Sequence, residues 1–141
     1  MDISKLAAVE LTYSALESLE YSSGGQLYGT MEGSLVGERL TGTLRLTNLA
    51  PRRPDNVNLP TLRGVLTTQD GARAWVELDG LATLRPVDGA RVFITTCRFR
   101  TGDERYARLN TLFAVLEGVL DSVGVGGVAR GQLFECHATL S

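Results

Sequence analysis

The chain has 141 residues, of which 43% are hydrophobic and 21% charged, and fourteen Lys and Arg against sixteen Asp and Glu leave a formal net charge of −2. That length fits a single domain over residues 1–141 with a core of its own, and the apolar content is too high for a disordered chain. The near balance of charge offers no footprint for a polyanion, which excludes nucleic acid as an expected partner.

Met1-Asp2-Ile3-Ser4-Lys5 lacks a basic stretch leading into an apolar run, and no window approaches the roughly 18 apolar residues of a membrane span. The expectation is a cytoplasmic protein with no membrane partner. Two cysteines, Cys97 and Cys136, are too few for a disulfide framework and read as reduced thiols.

Alternation of apolar and polar residues, bounded by turn signals, predicts about eight strands, near 7–17, 26–36, 38–49, 57–69, 72–83, 90–100, 111–121 and 127–138. A tight turn at Val36-Gly37-Glu38-Arg39 separates the second from the third. A longer connection, Ala50 to Asn56, carries Arg53-Pro54-Asp55. Asp70-Gly71 and Asp88-Gly89 are hairpin dipeptides, because glycine reaches positive φ freely and aspartate tolerates it. Thr101 to Asn110 has an N-cap in Thr101 or Asp103 and predicts one short helical turn near 102–109. Gly124-Val125-Gly126-Gly127 is a loose turn before the last strand. Strands in succession without long helices predict an all-β fold, a sandwich or, as the reading preferred here, an antiparallel up-and-down barrel.

Side-chain parity then assigns faces. Leu27, Met31 and Leu35, Leu44 and Leu46, Leu62 and Leu66, Val76 and Leu78, and Leu116 and Leu120 fall on one parity and read as the interior. Val92, Ile94, Val128 and Phe134 are placed with them. Gly29, Gly33, Gly42, Gly64, Gly80 and Gly118 share that parity, where a glycine bends a strand to close a barrel. Trp75, Phe113, Val115 and Val119 interrupt the otherwise polar outer parity and suggest a homodimer.

The run Val92-Phe93-Ile94-Thr95-Thr96-Cys97-Arg98-Phe99-Arg100-Thr101-Gly102-Asp103-Glu104-Arg105-Tyr106-Ala107-Arg108-Leu109-Asn110 resembles the bacterial family catalogued as domain of unknown function 3237. That family typically reads Tyr-Phe-Arg-Thr, a Pro, Arg-Phe, Thr-Gly-Asp and Arg-Tyr-Ala-Trp-Leu-Asn over the same span. Gly33 to Gly42, Arg53-Pro54-Asp55 and Thr68-Gln69-Asp70-Gly71-Ala72 match further pieces in order. The resemblance implies a calycin-like or lipocalin-like up-and-down β-barrel, in agreement with the strand count, and leaves the reaction open. Ile94, Cys97, Arg108 and Asn56 depart from the family's usual Arg, Pro, Trp and Gly.

No phosphate-binding glycine loop, nucleophile elbow or metalloprotease helix is present, and no metal or cofactor is expected. The single histidine, His137, points away from its neighbour Cys136 in an extended strand, so the pair makes neither a zinc site nor a nucleophile. Polar residues on the interior parity carry more promise, because a polar group inside a barrel is costly unless paired or met by ligand. Asn48, Gln132, Thr96, Arg98, Tyr106 and Asn110 are the candidate ligand-binding residues. Up-and-down tracing places Asn48, Arg130 and Gln132 at the end with the Arg53-Pro54-Asp55 loop, and Thr68, Thr96, Arg98 and Tyr106 at the other. There the Thr101–Asn110 segment reads as a plug, with Tyr106 and Leu109 over the core and Arg98 satisfying carbonyls or Asp103. At the open end Asp55 reads as a general base, with Arg53 or Arg130 stabilising an enolate.

These readings point to a cofactor-independent barrel that binds a small molecule, as an isomerase or cyclase acting on a carbonyl-containing or polyketide-like metabolite. The alternatives are a non-catalytic carrier of an apolar small molecule and an oligomeric scaffold with a filled barrel.

Overall fold

In the computed structural model, which describes residues 1–140, nine strands form one sheet closed on itself. They are β1 (Asp2–Tyr21), β2 (Gly24–Val36), β3 (Thr41–Asn48), β4 (Pro51–Arg52), β5 (Thr61–Thr68), β6 (Arg73–Leu84), β7 (Arg91–Arg100), β8 (Phe113–Leu120) and β9 (Val128–His137). All pairings are antiparallel; leaving aside the two-residue β4, which adds to β2 at Gly25 and Gln26, they join strands that follow one another in the chain, except that β1 also pairs with β9 to close the barrel. The fold is a closed eight-strand up-and-down barrel, as expected.

Closure depends on β1, whose 20 residues are enough to pair with two partners at once. Asp2–Thr12 pairs with β9 and Ala8–Tyr21 with β2. Register shifts between Lys5 and Ala7 and between Tyr13 and Ala15 let so long a strand curve around the barrel. Neighbouring strands come very close at the inward glycines. A Cβ on Gly64 would lie 1.9 Å from the carbonyl oxygen of Arg45, and one on Gly80 1.9 Å from that of Ile94. These glycines let the sheet coil and do not make room for a ligand.

The two ends differ. One end, here the plugged end, carries the turns at residues 37–40 and 69–72 and the connection between β7 and β8. That connection holds a 3₁₀ segment, Glu104–Thr111, with Asp103 as its N-cap and a non-helical kink at Tyr106. Leu109 drops from it into the core and is fully buried, while Tyr106 packs against the same cluster. The Tyr106 hydroxyl donates to Asp70 Oδ1 at 2.9 Å, Arg105 Nη1 lies 3.2 Å from Asp70 Oδ2, and Arg105 Nη2 lies 2.8 Å from Asp103 Oδ2. The plug is therefore built as the sequence implies, except that Arg105 and not Arg98 engages Asp103.

Beneath the plug the barrel is filled. Leu35, Leu66, Val76 and Leu133 are almost wholly inaccessible, and the void among them is only about 10 Å³. Cys97 belongs to this half; burial pushes its thiol up to about 12, so it behaves as an apolar filler.

Parity holds in β2, β3, β5, β6 and β8 and is reversed in β7 and β9. Arg91, Phe93, Thr95, Cys97 and Phe99 face inward in β7, and Ala129, Gly131, Leu133 and Glu135 face inward in β9. Val92 and Ile94 are consequently outside. So are Thr96 and Arg98, which were expected inside, together with Arg130 and Gln132. Both parities of these strands mix apolar and polar residues, so hydrophobicity does not choose between them; the pairing register with β6 and β8 does.

Candidate ligand-binding site

Toward the opposite end, which carries the turns at residues 22–23, 85–90 and 121–127 and the long connection 49–60, the lumen is hollow. A partly open cavity of about 60 Å³ lies between the filled half and this mouth. The space has room for several waters or one small ring. Its walls are mostly apolar, including Leu27, Met31, Leu62, Leu78, Phe93 and Leu116. Val123, from the turn between β8 and β9, reaches the rim.

Few polar side chains enter this cavity, and their bonding is incomplete. Arg91 stands at the start of β7 and is 91% buried by surface area, yet faces no carboxylate. Its Nη1 donates to the backbone carbonyl of Asn56 and reaches that of Ala82 at 3.5 Å, and its Nε has no partner among the described residues. Burial, and secondarily the nearby charge of Arg52, lowers its pKa from the ordinary arginine value, but a guanidinium remains protonated at neutral pH. Two inward steps deeper on the same strand is Thr95, 3% exposed, whose Oγ1 is also unpartnered. Asn58 is held at the rim by backbone bonds with Ala82 in both directions, and its Oδ1 is the third orphan.

The opposite wall carries a bonded pair. Asn48, at the end of β3, donates from Nδ2 to the Tyr13 hydroxyl at 2.9 Å and accepts from the backbone N–H of Thr61 at 3.2 Å. Both side chains are buried, and burial raises the Tyr13 phenol above its ordinary pKa even though the Asn48 bond acts the other way. Among the residues that line the cavity there is no Asp, Glu or His, so Arg91 is its single charge.

Asn48 is thus the sequence-predicted site residue that the fold delivers to the lumen. The proposed catalytic set is not assembled there. Arg53 and Asp55 sit at the mouth on the 49–60 connection but are half-exposed and bonded to each other, with Arg53 Nε 3.1 Å from Asp55 Oδ1. That contact holds the Asp55 carboxyl below the usual range, which weakens it as a base. Arg130 projects into solvent between Glu10 at 3.4 Å and Asp121 at 3.8 Å. Gln132 lies on an outer groove beside Val36 and Glu117. Thr96 Oγ1 donates to the backbone carbonyl of Asp79 on the outer surface, and Arg98 lines an external groove with Trp75. At the plugged end Asn110 is tied to the backbone of Thr101 through both ends of its amide, at 2.8 and 3.0 Å. Tyr106 and Asn110 therefore serve closure. His137 is exposed and contacts Glu135 at 3.2 Å.

Arg91, Thr95, Asn58 and Tyr13 were not among the candidates. Arg91 and Thr95 were lost to the inverted parity of β7. Asn58 fell within an expected strand, and Tyr13 lies just before a bulge in β1.

No family model matches the chain, and no curated protein matches it. Solved structures that share its fold include the following three. A conserved protein of unknown function from Rhodopseudomonas palustris is 17% identical with a TM-score of 0.80, over 95% of this chain and 96% of that one. A β-barrel-like protein from Acinetobacter baumannii is 17% identical with a TM-score of 0.81, over 95% and 94%. An enzyme from Penicillium herquei is 20% identical with a TM-score of 0.65, over 94% and 93%. At these identities the likeness establishes the barrel and its whole-chain extent.

Proposed function

We propose that this protein is a cofactor-independent barrel that binds a small carbonyl-containing metabolite in the open half of its lumen. One observation carries the reading: a buried arginine without a carboxylate, a buried threonine and a buried asparagine, each with an unpaired polar atom, all line one apolar cavity. Buried polar groups are normally satisfied, and an unpaired one costs about 1–3 kcal/mol. A ligand oxygen accepting from Arg91 Nε would recover part of that cost. The finer proposal is an isomerase or cyclase acting on a polyketide-like compound, in which Arg91 stabilises an enolate oxygen and the dry walls fix the substrate's shape. We also propose membership of the family catalogued as domain of unknown function 3237, on the motifs quoted above, and a homodimer formed through the apolar outer face.

A second reading is favoured by the absence of Asp, Glu and His from the cavity lining. Without a carboxylate or imidazole, proton abstraction has no evident base inside the lumen, and a carrier needs none. Native mass spectrometry of protein from its own host, followed by denaturation and identification of what is released, tests the shared claim. One oxygen-bearing small molecule per chain is expected, and an Arg91→Met variant should release much less. Recovery of the same molecule from both proteins in equal amount would contradict the reading. Incubation of the released compound with fresh protein then separates the two roles. An isomerase or intramolecular cyclase returns a product of unchanged mass and altered retention, whereas a carrier returns the compound itself.

A further inference from the structure

Resting on the lumen as a ligand site, we infer that the ligand is a ring compound bearing oxygen at two opposed positions, one held by Arg91 and the other by a hydrogen bond donated from the Tyr13 hydroxyl.

The direction of that second bond follows from the hydrogen bonds around Asn48. A backbone N–H can only donate, so the Asn48 atom that meets Thr61 N at 3.2 Å must be the amide oxygen. The other end of the amide is then the NH₂ group, and it can only donate to Tyr13 at 2.9 Å. The Tyr13 oxygen is thereby the acceptor of that bond, and its own proton must point elsewhere. Among the described residues the Tyr13 hydroxyl donates to no acceptor, and Tyr13 lines the cavity. Two hydrogen bonds in series, anchored on the backbone at the start of β5, thus aim a proton into an apolar space.

The strand order places this donor well away from Arg91. Going around the barrel from β1, which holds Tyr13, β9 and β8 intervene before β7, which holds Arg91 and Thr95. In an eight-strand barrel three steps is nearly across. Between the two poles the lining is apolar, with Met31, Leu62 and Leu78 on one side and Leu116 and Ala129 on the other. An occupant with a single polar end would satisfy one pole and leave the other buried and unmet. A short flat molecule with an oxygen at each end meets both. The Arg91 pole suits an anionic or strongly polarised oxygen, because a charged donor gains most there. The Tyr13 pole is a neutral donor and suits a hydroxyl or carbonyl oxygen.

Calorimetric titration with 4-hydroxybenzoate, benzoate and toluene on the full chain tests this. For the wild type the expected order is 4-hydroxybenzoate over benzoate over toluene. Tyr13→Phe should weaken 4-hydroxybenzoate about five- to tenfold, the effect of one neutral hydrogen bond, and leave benzoate unchanged. Arg91→Met should weaken both by about tenfold or more. A Tyr13→Phe protein that binds 4-hydroxybenzoate as the wild type does, or loses benzoate to the same degree, overturns the inference while the lumen remains a ligand site. Failure of all three compounds to bind the wild type overturns the inference together with the reading on which it rests. Tyrosine labelled with ¹³C at Cζ gives a check without mutation. The Tyr13 resonance should shift with 4-hydroxybenzoate and not with benzoate, and equal responses would count against the assignment.

Discussion

Arg91 illustrates how a single residue can be placed for binding at little benefit to the fold. It buries a guanidinium beside two backbone carbonyls and no anion, an arrangement that leaves its desolvation cost largely uncompensated. One of those carbonyls, on Ala82, already accepts the Asn58 N–H. Arg91→Met should therefore change unfolding stability by no more than about 1 kcal/mol in either direction, as measured by denaturant midpoints, while it abolishes most ligand affinity. A loss of more than about 3 kcal/mol would make Arg91 a structural residue. Tyr13 behaves differently, because its hydroxyl is the acceptor for a buried amide. Tyr13→Phe strands Asn48 Nδ2 and should cost about 1–2 kcal/mol. Its pH dependence has a definite sign. The phenol's pKa is raised in the folded chain above the ordinary tyrosine value of 10.0, so the folded state holds the proton more tightly than the unfolded state. The Tyr13 contribution is fully present below that value and is lost as pH rises through the folded pKa, so unfolding monitored from pH 9 upward should show alkaline destabilisation that Tyr13→Phe lacks.

At the scale of elements, two features fix how the barrel closes. The inward glycines set strand approach. Gly64→Ala would press a methyl carbon to within 1.9 Å of the Arg45 carbonyl oxygen and should cost several kcal/mol or prevent folding, whereas Gly102→Ala meets nothing within 4 Å and should be nearly neutral. Thermal unfolding of the two variants gives the comparison. The plug is latched by Glu135, an inward carboxylate on β9 that is 4% exposed. Arg39 Nη2 reaches it at 2.9 Å from the turn between β2 and β3, and Arg108 Nη1 at 3.8 Å from the 3₁₀ segment. Burial pushes the Glu135 carboxyl up, but Arg39 and His137 together outweigh it and hold the group below the ordinary glutamate value of 4.5. A depressed carboxyl adds stability above its unfolded pKa and loses it as pH falls through the folded one. Glu135→Gln should thus cost about 1–3 kcal/mol near neutrality and show a shallower loss of stability below about pH 4.5. An acid unfolding curve parallel to that of the wild type would show that the latch is not electrostatic.

For the whole molecule, the sequence made the barrel and the plug legible because both are written in local chemistry. Hairpin dipeptides at Asp70-Gly71 and Asp88-Gly89 and clean alternation in β2, β3 and β5 mark strands that have one apolar face. The plug's N-cap at Asp103 and its buried Leu109 were equally readable. The lumen's chemistry was not, for the reason that makes it a candidate site. A strand that carries Arg91 and Thr95 inward breaks the hydrophobic rule, and pattern reading assigns such a strand to the wrong face. The β1 bulges add a second obstacle, since one extra residue at Ser14 reverses parity beyond Tyr13. The loop pair Arg53–Asp55 was conspicuous in the text, but it satisfies itself in solvent.

The central claim, that Arg91 waits in a half-hollow barrel for a ligand oxygen, is tested most directly by the ¹⁵Nε–H resonance of Arg91, assigned by its disappearance in Arg91→Met. On titration with benzoate that resonance should move downfield and saturate, with the amides of Thr95 and Asn58 responding over the same concentration range. A resonance that stays fixed while those of outer-surface arginines such as Arg98 and Arg130 drift would contradict the account, and would mark the lumen as packing space and not as a binding site.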